Sequence, residues 1–268
     1  MFTSGYQRNK IEDIFEDASR FGYDYIELWG GRPHAYTNDL DEKNINYLKK
    51  LSEKYEIPIK VFTPEHNMYP YNYMIGSESQ RKDSINYLKN SMDVGKKLGT
   101  EFMVISAGHA GYGINRKEIW NRFRNSIKEL TYYAEKIDYK IVIESLTKYE
   151  SNVCNYADDI MEILEQIDSK NLKGMCDVVV PFVNKEPVMN YFEKLGENLI
   201  HLHITDSDGI SDTHLMPGEG NIPLEELIDS IKVFGYNNTV TLELVTAYIN
   251  EPRLYSKRAI NKFNELLK

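Results

Sequence analysis

The chain has 268 residues, with 41 Asp and Glu against 32 Lys and Arg, for a formal net charge of −9. That length suits one large buried core organised as a single domain over residues 1–268, and the acidic balance without any basic stripe argues against a nucleic-acid partner. Cys154 and Cys176 form no C-x-x-C pair, the longest apolar run falls short of the roughly 18 residues of a membrane span, and the polar start MFTSGYQRNKIED is unlike a secretory signal. The expected location is the cytoplasm, with no membrane partner.

Short apolar runs alternate with longer amphipathic ones along the chain. The short runs, at 1–4, 25–29, 59–63, 102–106, 140–144, 172–177, 199–205 and 240–244, are rich in Ile, Val, Phe and Tyr and read as buried strands. Clear helical periodicity separates them at 11–21, 44–55, 80–98, 117–136, 157–166 and 224–234. Gly22, Gly99 and Gly235 stand just past helix ends, where a left-handed cap is wanted. Eight strand-helix units predict an α/β fold, a (β/α)8 TIM barrel. An open doubly wound sheet fits less well, because no G-x-G-x-x-G turn follows the first strand.

Chemistry in such a barrel sits at the C-terminal strand ends. The fifth predicted strand ends in Glu144 and the sixth in Asp177. The seventh reads His201-Leu-His203, and the eighth carries Glu243. Residues two apart share a face, so His201 and His203 point the same way, with His203 nearer the rim. Any one of these residues alone has an ordinary structural explanation. Three carboxylates and an imidazole converging with no Lys or Arg would repel one another unless a cation lies between them. One divalent ion is therefore expected at Glu144, Asp177, His203 and Glu243. The donor set suits Mn²⁺, Co²⁺, Mg²⁺ or Ni²⁺ better than a thiolate zinc site. His201 is expected one layer down, either as a hydrogen-bonded core residue or supporting the site from beneath.

At these residues, and in the stretches ELWGGRPHAY at 27–36, YPYNYM at 69–74, ISAGHAGY at 105–112, YESNV at 149–153, HLHITDSDGISDTH at 201–214, PGEG at 217–220 and ELVTAYINEPRLY at 243–255, the chain resembles the xylose-isomerase-like TIM-barrel superfamily, and within it the ketose 3-epimerases. The resemblance implies that Glu144, Asp177, His203 and Glu243 hold the metal. It also implies that Glu144 and Glu243 move the proton, and that Glu150 supports the catalytic carboxylate and the substrate near O1. Two positions depart from the pattern. The His three residues after the aspartate is here Val180, and the Arg six residues after the metal His is here Gly209. Both lost groups would bind sugar hydroxyls, so a small-molecule sugar-amine, an amino-acid-linked sugar, becomes the expected substrate.

Further candidate contacts follow from position and chemistry. Trp29, after the second predicted strand, could wall a sugar site or simply pack. Arg32 and Arg253 are candidates for a substrate carboxylate, since a guanidinium pairs with it bidentately. His109 either touches substrate or caps a helix, and Glu65 and His66 share that ambiguity. The aromatic run YPYNYM could form a lid. Three rivals stand beside the epimerase: an abasic-site phosphodiesterase, suggested by Asp212-Thr-His214 before PGEG, an aldose-ketose isomerase, and a sugar-binding barrel without chemistry. Metal identity and assembly into a homo-oligomer are left open.

Overall fold

The computed structural model describes residues 1–268. Seven parallel strands lie side by side in chain order: β1 (Ile26–Gly30), β2 (Ile59–Pro64), β3 (Phe102–Ser106), β4 (Lys140–Glu144), β5 (Leu172–Asp177), β6 (Leu199–Ile204) and β7 (Thr239–Leu242). The helices that return outside them are α1 (Ile11–Phe21), α2 (Glu42–Tyr55), α3 (Glu78–Leu98), α4 (Arg116–Lys136), α5 (Ala157–Ile167), the short α6 (Val179–Asn184) and α7 (Met189–Leu195), α8 (Leu224–Phe234) and α9 (Pro252–Leu266). The predicted helix ends hold because their caps do. Ser77 and Gln80 form a reciprocal capping box on α3, and Gly22, Gly99 and Gly235 all take left-handed φ at the ends of α1, α3 and α8.

The expected first strand at 1–4 is not a regular strand. Phe2 makes one isolated parallel bridge to Glu27, and a 3-10 turn begins at Ser4. The segment still closes the barrel, because Phe2 N donates to Leu242 O (3.2 Å) and Thr3 N to Glu27 O (3.2 Å). The sequence reading also missed α6, whose Val-Val-Pro-Phe-Val imitates a strand. Pro181 is tolerated there because it falls in the first turn, where its missing N–H has no partner to lose.

Alternation along the strands divides the apolar interior in two. One face packs outward into a core of 62 buried residues shared with the helices, including Leu28, Ile105, Ile143, Cys176 and Leu202. The other face fills the barrel with a small separate cluster of Tyr25, Val61, Phe102, Val104, Val142 and Met175. Continuing that inward parity along the strands brings Glu27, Glu144, Asp177, His201 and His203 inside.

Candidate active site

Strand register builds the site. Asp177 at the end of β5 lies opposite His203 on β6, Glu144 ends β4, and Glu243 follows β7 directly. One donor atom from each of Glu144, Asp177, His203 and Glu243 falls within 4.8 Å of the others. The three carboxylates line a cavity of about 470 Å³ at the C-terminal mouth of the barrel. Its lining includes Glu65, Glu150, Asp212 and His214 but no Lys or Arg.

The imidazole of His203 is fixed from below. Its Nε2 lies 3.1 Å from both Glu27 carboxylate oxygens, and Glu27 also meets His201 Nε2 (2.9 Å) and accepts from Thr63 Oγ1 (2.6 Å). His201 Nδ1 is occupied by Thr239 Oγ1 at 2.8 Å. Glu27, His201 and His203 could also group around an ion. Both Nε2 atoms are already matched to the Glu27 carboxylate and fully buried, so this layer acts as a support for His203. A proton shared between Nε2 and Glu27 leaves the Nδ1 lone pair for the cavity.

That atom tests whether a metal fits. His203 Nδ1 is buried, lies 2.8 Å from Glu243 Oε2 and 3.4 Å from Glu144 Oε1, yet makes no hydrogen bond. The ring nitrogen and the carboxylate oxygens converge without pairing, an arrangement a shared cation satisfies and a simple ion pair does not. Three oxygen donors with one nitrogen also match a hard or borderline divalent ion.

The electrostatics are frustrated in the same place. Burial, with the charges of Glu243 and Asp177 added, pushes Glu144 up to about 7 although His203 opposes this. Burial and the neighbouring Asp212 and Glu144 push Glu150 up to about 8. His214 Nε2 meets Asp177 Oδ2 at 2.9 Å. Burial would lower the His214 pKa, but Glu243 and Asp177 outweigh it and raise it well above the usual histidine value. Asp177 is lowered in spite of its burial, chiefly by His214.

Residues 15–266 match the family model described as "Xylose isomerase-like TIM barrel". The chain belongs to that family. It is 49% identical over 267 residues to a fructoselysine 3-epimerase of Escherichia coli O157:H7, covering 100% of this chain and 97% of the relative. It is 27% identical over 130 residues to a D-psicose 3-epimerase of Ruminiclostridium cellulolyticum, covering 48% of this chain and 43% of that one. Among solved structures, a D-psicose 3-epimerase with D-tagatose from Clostridium cellulolyticum H10 superimposes with a TM-score of 0.82 at 19% identity, covering 100% of this chain and 98% of the other. The IOLI protein with a bound zinc atom gives 0.81 at 19% identity over 100% and 96%. At those identities the two structures show the shared fold.

Within this xylose isomerase-like barrel the remaining sequence candidates separate. Trp29 is half-buried on the cavity wall and donates from Nε1 to Glu65 Oε2 (2.6 Å). Gly31 makes room for it, since a Cβ there would stand 2.0 Å from the indole. Glu150 lines the cavity and accepts from the Thr147 hydroxyl at 3.1 Å. His66 is a structural link: its Nδ1 pairs with Pro64 O (2.7 Å) and its Nε2 accepts from Ser106 N (2.9 Å). His109 lies outside the main cavity, in an adjoining chamber, where its Nδ1 accepts from Gly111 N at 2.9 Å.

The two arginines stand apart from the cavity. Arg32 is paired with Asp39 through Nε (2.6 Å) and Nη2 (2.8 Å), and Arg253 with Asp17 at 2.8 and 2.9 Å. Neither lines the cavity or the adjoining chamber. The Nε–Nη2 edge of each guanidinium is thus already taken by a carboxylate outside the cavity, which holds the side chain away from it. The departures at Val180 and Gly209 are physically settled positions. Val180 is buried in the cavity wall, and Gly209 has φ +73° with the Phe182 ring 2.7 Å from where a Cβ would lie. A long side chain at 209 would need both a strained backbone and a displaced ring.

Glu27 went unrecognised as a site residue, and His214 entered only through the phosphodiesterase alternative. Glu27 was findable, since it shares inward parity with Trp29 and is an acid inside a buried strand. His214 arrives on a loop without periodicity. That loop is anchored by Asp206, which accepts from Ser207 N, Gly218 N and Ile222 N at 2.8–2.9 Å.

Proposed function

We propose that this chain is a metal-dependent epimerase that interconverts fructoselysine and its C3 epimer, psicoselysine, through a cis-enediolate. The observation that carries the reading is the convergence of Glu144, Asp177, His203 and Glu243 on one point of the acidic cavity. The 49% identity to a fructoselysine 3-epimerase over the full chain supports the substrate.

In this reading those four residues hold one divalent ion, of which Mn²⁺, Co²⁺, Mg²⁺ and Ni²⁺ all suit the donors. When bound, the ion supplies a Lewis acid toward the C2 carbonyl and charge to offset the enediolate. Glu144 and Glu243 come from opposite sides of the cluster. One removes the C3 proton from its face and the other returns a proton on the opposite face, each contributing about 10²- to 10⁴-fold. Trp29 walls the sugar and excludes water. Glu150 and Asp212 sit beside each other, and Asp212 Oδ1 is buried without a partner. They are the natural neighbours of the positive nitrogen on C1 of a ketosamine. A free ketose brings no such charge, which favours the sugar-amine.

Incubation in D₂O with fructoselysine, followed by NMR, tests the proposal. Deuterium should enter at C3 as psicoselysine appears, and exhaustive chelation should stop both, with recovery on adding one equivalent of divalent ion. Turnover unaffected by chelation, or deuterium entering at C1 alone, would replace this reading with another chemistry.

A further inference from the structure

The acidic cavity does not end at the sugar site. A second chamber of about 760 Å³ adjoins it, and Asn67, Met68 and Glu150 line both. Its outer walls are aromatic. Tyr69 and Tyr112 are 97% and 91% exposed, and Tyr112 leans on His109 with ring centroids 4.8 Å apart. Exposed tyrosines flanking a concave space give an alkyl chain apolar surface at small entropic cost.

The polar groups of this chamber have opposite preferences. Asp83, on α3, is an exposed carboxylate without an ion-pair partner. His109 uses Nδ1 as the acceptor for Gly111 N, so the neutral ring carries its proton on Nε2 and presents a donor. No Lys or Arg lines the space.

The geometry points to this outer chamber as the site for the amino-acid end of a ketosamine, with Asp83 taking the α-ammonium and His109 Nε2–H the α-carboxylate. The inference rests on the epimerase reading and adds where the second half of the substrate lies. The substituted nitrogen on C1 passes Glu150, which belongs to both chambers, and the side-chain methylenes run between Met68 and the tyrosines. This also explains why the engaged Arg32 and Arg253 are not needed: the carboxylate is met by a neutral donor.

The test measures kcat/KM for four ketosamines that share the fructosyl group. They are built on lysine, on methylamine, on 6-aminohexanoic acid (no α-ammonium) and on 1,5-diaminopentane (no carboxylate). The wild type should favour the lysine compound over the methylamine compound by about ten- to hundred-fold, the worth of a charged hydrogen bond. Asp83→Asn should lose about ten-fold or more on the lysine and diaminopentane compounds and far less on the aminohexanoate. His109→Ala should show the converse, losing on the lysine and aminohexanoate compounds. Equal loss on all four compounds, or a wild type indifferent to the amine substituent, overturns the assignment while leaving the epimerase reading intact. Failure of the wild type to epimerise any of the four removes the epimerase reading itself.

Discussion

The two mouths of the barrel are built from the same strands and differ in how their charges are settled. At the N-terminal mouth, Asp24, Lys60, Glu101 and Lys140 surround a hollow with two charges of each sign, and Lys60 pairs with Glu101 at 3.2 Å. At the C-terminal mouth six acids, Glu65, Glu144, Glu150, Asp177, Asp212 and Glu243, line one cavity with no Lys or Arg. A chain selected for stability alone would not leave one end uncompensated. The balanced mouth is what solvent exposure and foldability ask for, and the unbalanced one is where a cation and a charged substrate supply what is missing.

The largest expected effect breaks the unbalanced end directly. Glu144→Gln and Glu243→Gln should each reduce C3 proton exchange by about 10²- to 10⁴-fold. The same Glu144→Gln change, measured in excess chelator, should raise the unfolding temperature, because a neutral amide replaces a carboxylate that burial and its acidic neighbours disfavour. Thermal unfolding followed by circular dichroism, alongside the exchange rate, checks both halves. A variant that loses activity and is also less stable in chelator would mean the cluster is held together by something other than an absent cation's worth of charge.

A smaller effect is expected one layer down. Glu27→Gln keeps the shape beneath His203 but weakens the contact that fixes its ring. Metal affinity, read by calorimetric titration, should fall about 10- to 100-fold. Excess metal should restore most of the exchange rate, as a positioning role requires. Loss of rate at saturating metal with unchanged affinity would instead place Glu27 in the proton-transfer chemistry.

The outer layers of this architecture were legible because period and parity govern them. Strands β3, β4 and β5 and helices α1 and α8 fall where the apolar runs and glycine caps put them. The four convergent residues could be listed because strand ends are ordered by the fold. Other features obey no local period. The closing segment near Phe2 is too short to declare itself, α6 mimics a strand, and His214 is carried by a loop whose course depends on Asp206. The pairings of Arg32 and Arg253 are hidden for a related reason: charge type is visible in sequence, but a partner such as Asp39 or Asp17 is not.

The wall of the active mouth offers a pH test at His66. Burial lowers the pKa of His66 from 6.5, and its two hydrogen bonds, to Pro64 O and from Ser106 N, need the neutral ring. As pH falls through 6.5 the unfolded chain takes up this proton before the folded one does. Stability should therefore fall with decreasing pH below that point, by up to about 1.4 kcal/mol per pH unit for this group, until the folded pKa is passed. Denaturant unfolding of the wild type and His66→Asn between neutral and mildly acidic pH should show a shallower slope in the variant. Parallel slopes would show that His66 does not carry the linkage.

The smallest effect sharpens the comparison from the balanced side. The side chains of Lys60 and Glu101 are 37% and 53% exposed, a setting in which an ion pair contributes about 0–1 kcal/mol. Lys60→Met keeps the aliphatic stem and removes the charge, so the stability change should stay within about 0.5 kcal/mol. The effect on turnover should be smaller still. Five residue steps of β2 lead from Ile59 at the other mouth to Pro64 at the active one, roughly 17 Å of extended chain, against a screening length of about 8 Å at physiological ionic strength. kcat/KM for a cationic ketosamine should then be unchanged at moderate salt. A several-fold rise in that value on removing Lys60 would show that the field of the balanced mouth reaches through the barrel. The two ends would then have to be treated as one electrostatic unit.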